Sequence, residues 1–165
     1  MDFFNHTTFF FTGNKPYTVN PPKPNVVLIF LDDGAFDNFA PFGDPRHPTP
    51  NVQTLAEEGR SFYNFYLPQA ICSVSRAVLM TGCYPGRTKI FGAIGPENPG
   101  LDPEFSTMGE VLQKNGYQTA IFGKWHLGDA PGRRPQDRDF DESSGLMYSH
   151  DMWFGHPENP EYWGQ

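Results

Sequence analysis

The chain has 165 residues, enough for one domain with its own core or for part of a larger one. A formal net charge of −7 and a pI near 5.1 argue against nucleic acid or an anionic membrane surface as the main partner, because the average field repels both. No run of about 18 apolar residues exists to span a bilayer as a transmembrane segment. The 17 glycines and 17 prolines imply short elements separated by loops that carry function.

Residues 1–24 read as an arm or linker. The aromatic clusters of "MDFFNHTTFFFTG" follow no basic segment and precede no small-residue cleavage site, so no signal peptide is expected. "NPPKPN" then holds the backbone extended with few donors. The domain proper is expected over 25–165. "NVVLIFL", Asn25 to Leu31, is a continuous apolar, β-branched run of the kind covered on both faces of a parallel sheet. It ends in Asp32 and Asp33. Adjacent strand residues face opposite ways, so both carboxylates serve one site only if the backbone turns after Leu31, as Gly34 permits. Such a pair suits a hard divalent cation, Ca²⁺ or less readily Mg²⁺, and also suits a solvated turn with a helix cap.

"TPNVQTLAEEG" fits a helix with Thr49 as cap and Pro50 at its first position, burying Val52, Leu55 and Ala56 and stopped by Gly59. "SFYNFYL" reads as a strand. "AICSVSRAVLMTG" reads as a short helix closed by Gly82, with Cys72 at its mouth. On a helix Cys72 and Arg76 are i and i+4 neighbours, so an anion beside Cys72 is stabilised by the guanidinium and by the helix N-terminus. A thiolate nucleophile and a small buried packing residue both remain open for Cys72. A bridge to Cys83 is excluded if Ser73 to Thr81 is helical, since a rise of about 1.5 Å per residue separates the two α-carbons by roughly 16 Å.

In "STMGEVLQKNG", Thr107 and Glu110 stand at capping-box spacing, Met108, Val111 and Leu112 supply a buried stripe, and Gly116 ends the helix. "YQTAIF", Tyr117 to Phe122, is the next strand. In "GKWHLG", an extended Lys124 to His126 would aim Lys124 and His126 to one side and Trp125 to the other, presenting two donors to an oxyanion. A surface lysine, a core tryptophan and a structural imidazole account for the same residues equally well. Beyond Asp129 the chain shows no clear periodicity and no terminating element. Strands alternating with helices imply an α/β layered fold with ligands at the strand ends, where both "DD" and "GKWH" fall.

Taken together, "PNVVLIFLDD", "TPNVQTLAEEG", "CSVSRAVLMTGCYPGRT", "TMGEVLQKNGYQTAIFGKWHLG" and "GLMYSHDMW" occur in the order and spacing of the sulfatase family, within the alkaline phosphatase-like superfamily. The resemblance runs from about Pro24 to Trp153. It implies an α/β fold with a mostly parallel sheet sandwiched by helices, of which this chain is the N-terminal part of the catalytic domain. It further implies that Cys72 is oxidised by a maturation enzyme to Cα-formylglycine, whose hydrate carries two hydroxyls on one carbon. One hydroxyl attacks the sulfur of a sulfate ester, the alcohol leaves, and the second hydroxyl expels sulfate as the aldehyde re-forms.

By the same resemblance Asp32, Asp33 and the modified Cys72 are ligands of Ca²⁺, with Mg²⁺ the lesser alternative. Arg76 holds the formylglycine hydroxyl, Lys124 binds sulfate, and His126 bonds the hydroxyl whose deprotonation collapses the hemiacetal. Ser149 lies near the substrate, and His150 beside it reads as structural. The implied partners are a sulfate ester of a small molecule or glycan and the formylglycine-generating enzyme, and the implied location is outside the cytoplasm. Two positions depart from the family pattern: Val74 stands where the maturation motif prefers Pro or Ala, and Gly34 comes one residue early. The chain covers roughly the first third of a typical member, so the remaining metal ligands, the later Lys and His of the sulfate pocket and the C-terminal subdomain lie outside it. The 165 residues alone are expected to be inactive and unstable. The competing readings are a phosphate or phosphonate monoester hydrolase of the same superfamily and an inactive, truncated sulfatase-like chain.

Overall fold

The computed structural model describes residues 23–149, apart from 44, 45, 47 and the side chain of Phe36. The N-terminal arm up to 22 and His150 lie outside the described residues. The chain divides into two compact units, 1–65 and 66–165.

In the first unit helix α1 runs Pro50–Glu58, with proline at its first position as expected. Thr49 is the N-cap residue, but its hydroxyl accepts from the Ala40 amide (2.9 Å) instead of capping the helix, while its carbonyl takes the Gln53 amide (2.9 Å). Gly59 is the C-cap residue, where a Cβ would stand 2.7 Å from the Leu55 carbonyl oxygen, so the stop favours glycine. The expected buried stripe is not realised: Val52 and Ala56 are half-buried and Leu55 is exposed.

Two expected strands are corrected here. Asn25 to Leu31 and Ser61 to Leu67 form no ladder, and Val27, Ile29 and Tyr66 are 82, 74 and 81 % exposed. An apolar run becomes a strand only where another backbone accepts and donates its hydrogen bonds, and among the described residues the only ladder lies elsewhere. The turn after Leu31 is present, but Asp33 itself takes the left-handed conformation (φ 56°) while Gly34 does not. Aspartate tolerates that region better than most side chains.

The second unit begins with α2, Cys72–Thr81, closed by Gly82 in the left-handed region (φ 66°) with its amide on the Val78 carbonyl (2.8 Å). A single turn, α3, follows at Pro85–Thr88, and α4 covers Met108–Lys114. The capping box forms as its spacing predicts: Thr107 Oγ1 accepts from the Glu110 amide (3.3 Å) and Glu110 Oε2 from the Thr107 amide (2.7 Å). The buried position of α4 is Gly109, whereas Val111 is half exposed and Met108 and Leu112 are only partly covered. A Cβ at Gly109 would stand 2.8 Å from both the Arg138 carbonyl oxygen and the Phe140 ring, so helix and loop meet backbone to backbone.

The sheet consists of β1, Ala120–Phe122, and β2, Glu142–Ser144, paired in parallel with Ala120 opposite Glu142 and Phe122 opposite Ser144. β1 is shorter than the Tyr117–Phe122 strand expected. Beyond Asp129, where the sequence has no clear periodicity, lie the 3-10 turn Pro135–Arg138 and β2. No periodicity announces β2 because all three of its residues are exposed. Thr119 and Asp141 fix its register: Asp141 Oδ2 accepts from the Thr119 amide (2.7 Å), and the Thr119 hydroxyl donates to the Asp139 carbonyl (2.6 Å). The core gathers Val74 and Ala77 of α2 with Ile90, Ile94, Leu101, Trp125, Leu127 and Tyr148. Val74 is fully buried and packs this core.

Candidate active site

Cys72 opens α2 and is half-buried. Burial of Val74 and Ala77 fixes the orientation of the helix, while Ser75 Oγ bonds back to the Cys72 carbonyl (3.0 Å). Cys72 and Cys83 form no disulfide, as the helical spacing requires. One turn on, Arg76 is half-buried and its Nη1 donates to the backbone carbonyl of Lys124, 48 residues later. That bond ties the cysteine's helix to the "GKWH" loop.

The loop is held against the segment leading to Ser149. Beyond β1 the Gly123 amide donates to the Ser144 carbonyl (2.8 Å) and the Leu146 amide to the Gly123 carbonyl (3.1 Å). The amides of Trp125 and His126 then donate to Leu146 and Met147 carbonyls, each at 2.8 Å. Consecutive amides of an extended strand point to opposite sides. Here both face one neighbour because His126 is in the left-handed region (φ 58°). The extended geometry that would place Lys124 and His126 on one side is therefore not adopted. Lys124 is half-buried, Trp125 is core, and His126 is fully buried.

His126 Nε2 lies 2.8 Å from the Ile94 carbonyl oxygen. A carbonyl can only accept, so Nε2 carries the hydrogen. The imidazole also meets the Tyr148 ring edge-on (5.8 Å between centroids), and the Tyr148 hydroxyl donates to Asp129 Oδ1 (2.9 Å). Burial first, and then the Asp129 carboxylate, push the Tyr148 phenol well above its ordinary pKa, so it stays a neutral donor. Trp125 Nε1 donates to the carbonyls of Gly128 (3.1 Å) and Arg133 (2.9 Å), which sets the far side of the loop.

The second unit thus brings Cys72, Arg76, Lys124, His126 and Ser149 onto hydrogen-bonded neighbouring segments, with half-buried Ser149 two residues beyond Met147. Asp32 and Asp33 belong to the first unit and are exposed. Among the described residues no three His, Cys, Asp or Glu side chains cluster as a metal site. Two carboxylates have the hard-oxygen chemistry of a Ca²⁺ ligand pair and supply two to four of the six to eight oxygens such an ion takes. Ile94, Tyr148 and Asp129 support His126 without any sequence motif that singles them out. Only the place of Tyr148 beside Ser149 hinted at a role, and nothing local marks a carbonyl 32 residues away.

The family model for sulfatases matches residues 24–164, which include every candidate residue named above. The chain is a member of the sulfatase family. Human arylsulfatase A is 42 % identical over 133 residues, covering 78 % of this chain and 26 % of the relative. Human N-acetylgalactosamine-6-sulfatase is 36 % identical over 146 residues, covering 83 % of this chain and 26 % of the relative. This sulfatase chain therefore spans about a quarter of the curated relatives it matches, at their N-terminal part. Among solved structures Ps i-CgsB superposes with a TM-score of 0.77 at 35 % identity, covering 86 % of this chain and 32 % of that one. Its complex with k-i-k-neocarrahexaose gives 0.70 at 32 % identity over 79 % of this chain and 30 % of that one. The fold is accordingly the N-terminal part of the alkaline phosphatase-like α/β fold of sulfatases, with parallel β1 and β2 flanked by helices. No helix among the described residues is long and apolar enough to cross a membrane.

Proposed function

We propose that the full-length protein hydrolyses sulfate esters with a formylglycine made from Cys72. The observation that carries this reading is the bond from Arg76 to the Lys124 carbonyl, which joins the helix bearing the oxidisable cysteine to the loop bearing the lysine and histidine. A geminal diol at position 72 supplies both a nucleophilic hydroxyl and a second hydroxyl for release of sulfate. Arg76, one helical turn from Cys72, holds the attacking oxygen in place, and the N-terminus of α2 adds positive potential there. Lys124 binds the sulfate oxygens, and its ammonium offsets the charge gathering on them. His126, with a hydrogen on Nε2 toward the Ile94 carbonyl, would use Nδ1 to take up a hydroxyl proton. Ser149 donates to the substrate.

Asp32 and Asp33 would hold Ca²⁺, or Mg²⁺ less readily, and the ion would supply Lewis-acid polarisation of the sulfate oxygens. The rest of its shell comes from protein beyond these two residues. Two relatives point to a saccharide as substrate: one is named for N-acetylgalactosamine 6-sulfate and the other is seen with a carrageenan-type hexaose. We favour a sulfated glycan over a small aryl or steroid sulfate on that ground.

Peptide mass spectrometry of the protein, co-expressed with a formylglycine-generating enzyme, should show the Cys72 side chain converted from thiol to aldehyde. Turnover of an aryl sulfate should accompany conversion and vanish in Cys72→Ala. An active enzyme with an unmodified thiol would sink the mechanism. Faster turnover of a phosphate or phosphonate monoester would favour the other hydrolase of the superfamily, and no turnover of either ester after conversion would favour an inactive sulfatase-like protein.

A further inference from the structure

We propose that Ser73 is a positioning residue for His126, acting through the backbone of Ile94. The inference rests on the reading of His126 as the proton-transfer group. Ser73 follows Cys72 directly in the first turn of α2 and is fully buried. Its Oγ accepts from the Ile94 amide at 3.1 Å, and the Ile94 carbonyl accepts from His126 Nε2 at 2.8 Å. Ile94 and His126 are themselves buried, so water does not replace either partner at no cost. The donor and the acceptor of one residue are thus each engaged: one by the residue next to the nucleophile's precursor, the other by the imidazole.

Two consequences follow. The Ile94 carbonyl selects the Nε2–H tautomer and leaves Nδ1 as the basic nitrogen of the neutral ring. A hydroxyl at position 73 also couples the first turn of α2 to the ring, so a shift of the nucleophile's helix carries the imidazole with it. The backbone of His126 is in the left-handed region and is held by the Met147 carbonyl (2.8 Å), and the Tyr148 edge limits rotation of its ring. Ser73 supplies what these do not: a fixed place for the carbonyl that chooses the tautomer. The serine therefore has a role distinct from the maturation motif in which it stands.

The test uses the full-length, formylglycine-bearing enzyme with ¹⁵N-labelled histidine and the variants Ser73→Ala, Ser73→Thr and Ser73→Cys. In the parent, the imidazole nitrogen spectrum of His126 should show the Nε2–H tautomer alone. In Ser73→Ala it should show a tautomer mixture, and kcat per formylglycine for an aryl sulfate should fall about 10–100-fold, the range for outer-shell partners, with KM within about twofold. Threonine keeps the acceptor and should restore both readouts, while cysteine, a weak acceptor of nearly the same volume, should fall between and covers the case in which alanine does not fold. A pure Nε2–H tautomer with parental kcat in folded Ser73→Ala or Ser73→Cys would overturn the proposal. If the parent cleaves no sulfate ester, the proposed function fails, and the tautomer spectrum alone decides the role of Ser73.

Discussion

Arg138 is a fully charged group sealed inside the second unit, and its partner Glu110 is the place to perturb it. The guanidinium is 1 % exposed and Glu110 16 %, with Nε to Oε1 at 2.7 Å. Arg138 Nη2 also donates to the Phe105 carbonyl, while Nη1 has no hydrogen-bond partner among the described residues. Glu110→Gln keeps an amide oxygen for Arg138 Nε or the Thr107 amide but removes the charge. Charge-assisted hydrogen bonds are worth roughly twice neutral ones, so the loss should be about 1–2 kcal/mol. Glu110→Ala removes the acceptor altogether and leaves a buried cation uncompensated, at about 3–5 kcal/mol. Urea unfolding of the full-length protein, followed by the fluorescence of buried Trp125 against Phe140 (centroids 6.1 Å apart), reads both variants.

The pH dependence supplies a second arm. Burial acts to raise the Glu110 pKa, but the Arg138 hydrogen bond, the Thr107 amide and the charges of Arg138 and Lys114 outweigh it and hold the carboxyl below its ordinary 4.5. A depressed carboxylate pKa stabilises the fold fully above the unfolded value and ceases to do so as pH falls through the folded value. The stability gap between parent and Glu110→Gln should therefore be constant near neutrality and close below about pH 4.5. A gap under about 0.5 kcal/mol at pH 7, or one that widens in acid, would refute the reasoning.

Two further perturbations use the close backbone approaches. Gly109→Ala gains roughly 1 kcal/mol of helix propensity, yet its methyl would stand 2.8 Å from the Arg138 carbonyl oxygen, and overpacking of that kind costs about 1–3 kcal/mol. Net destabilisation by about 1 kcal/mol is expected in the same unfolding assay, and a stabilised variant would show that α4 does not pack through Gly109. Gly145→Ala would place a Cβ 1.9 Å from the Gly123 carbonyl oxygen at a φ of +145°, so it should cost at least about 2 kcal/mol. By disturbing the pairing that seats Trp125 and His126 it should also lower the proposed sulfatase activity of the full-length protein, and parental stability would contradict that pairing.

Where local chemistry alone sets the conformation, the sequence was decisive. Pro50 at a helix start, the Thr107–Glu110 capping box, Gly82 as a left-handed stop and the separation of Cys72 from Cys83 all appear as their side chains require. These are contacts within a few residues, and a short window contains both partners. The same holds for the family motifs, since residues from Asp32 to Ser149 lie within the sulfatase match. What depends on a distant partner was not legible. An apolar run does not state whether a neighbouring strand exists, so Asn25–Leu31 and Ser61–Leu67 have the pattern of strands without the ladder, and the exposed residues of β2 carry no pattern. Alternation could not reveal that His126 leaves the extended region, nor helix periodicity that α4 buries a glycine. Above all, no residue type announces a backbone carbonyl as its partner. The bonds from Arg76 to Lys124 and from Ser73 through Ile94 to His126 were therefore fixed only by the tertiary structure, because a carbonyl is the same at every position and only the fold decides which one arrives.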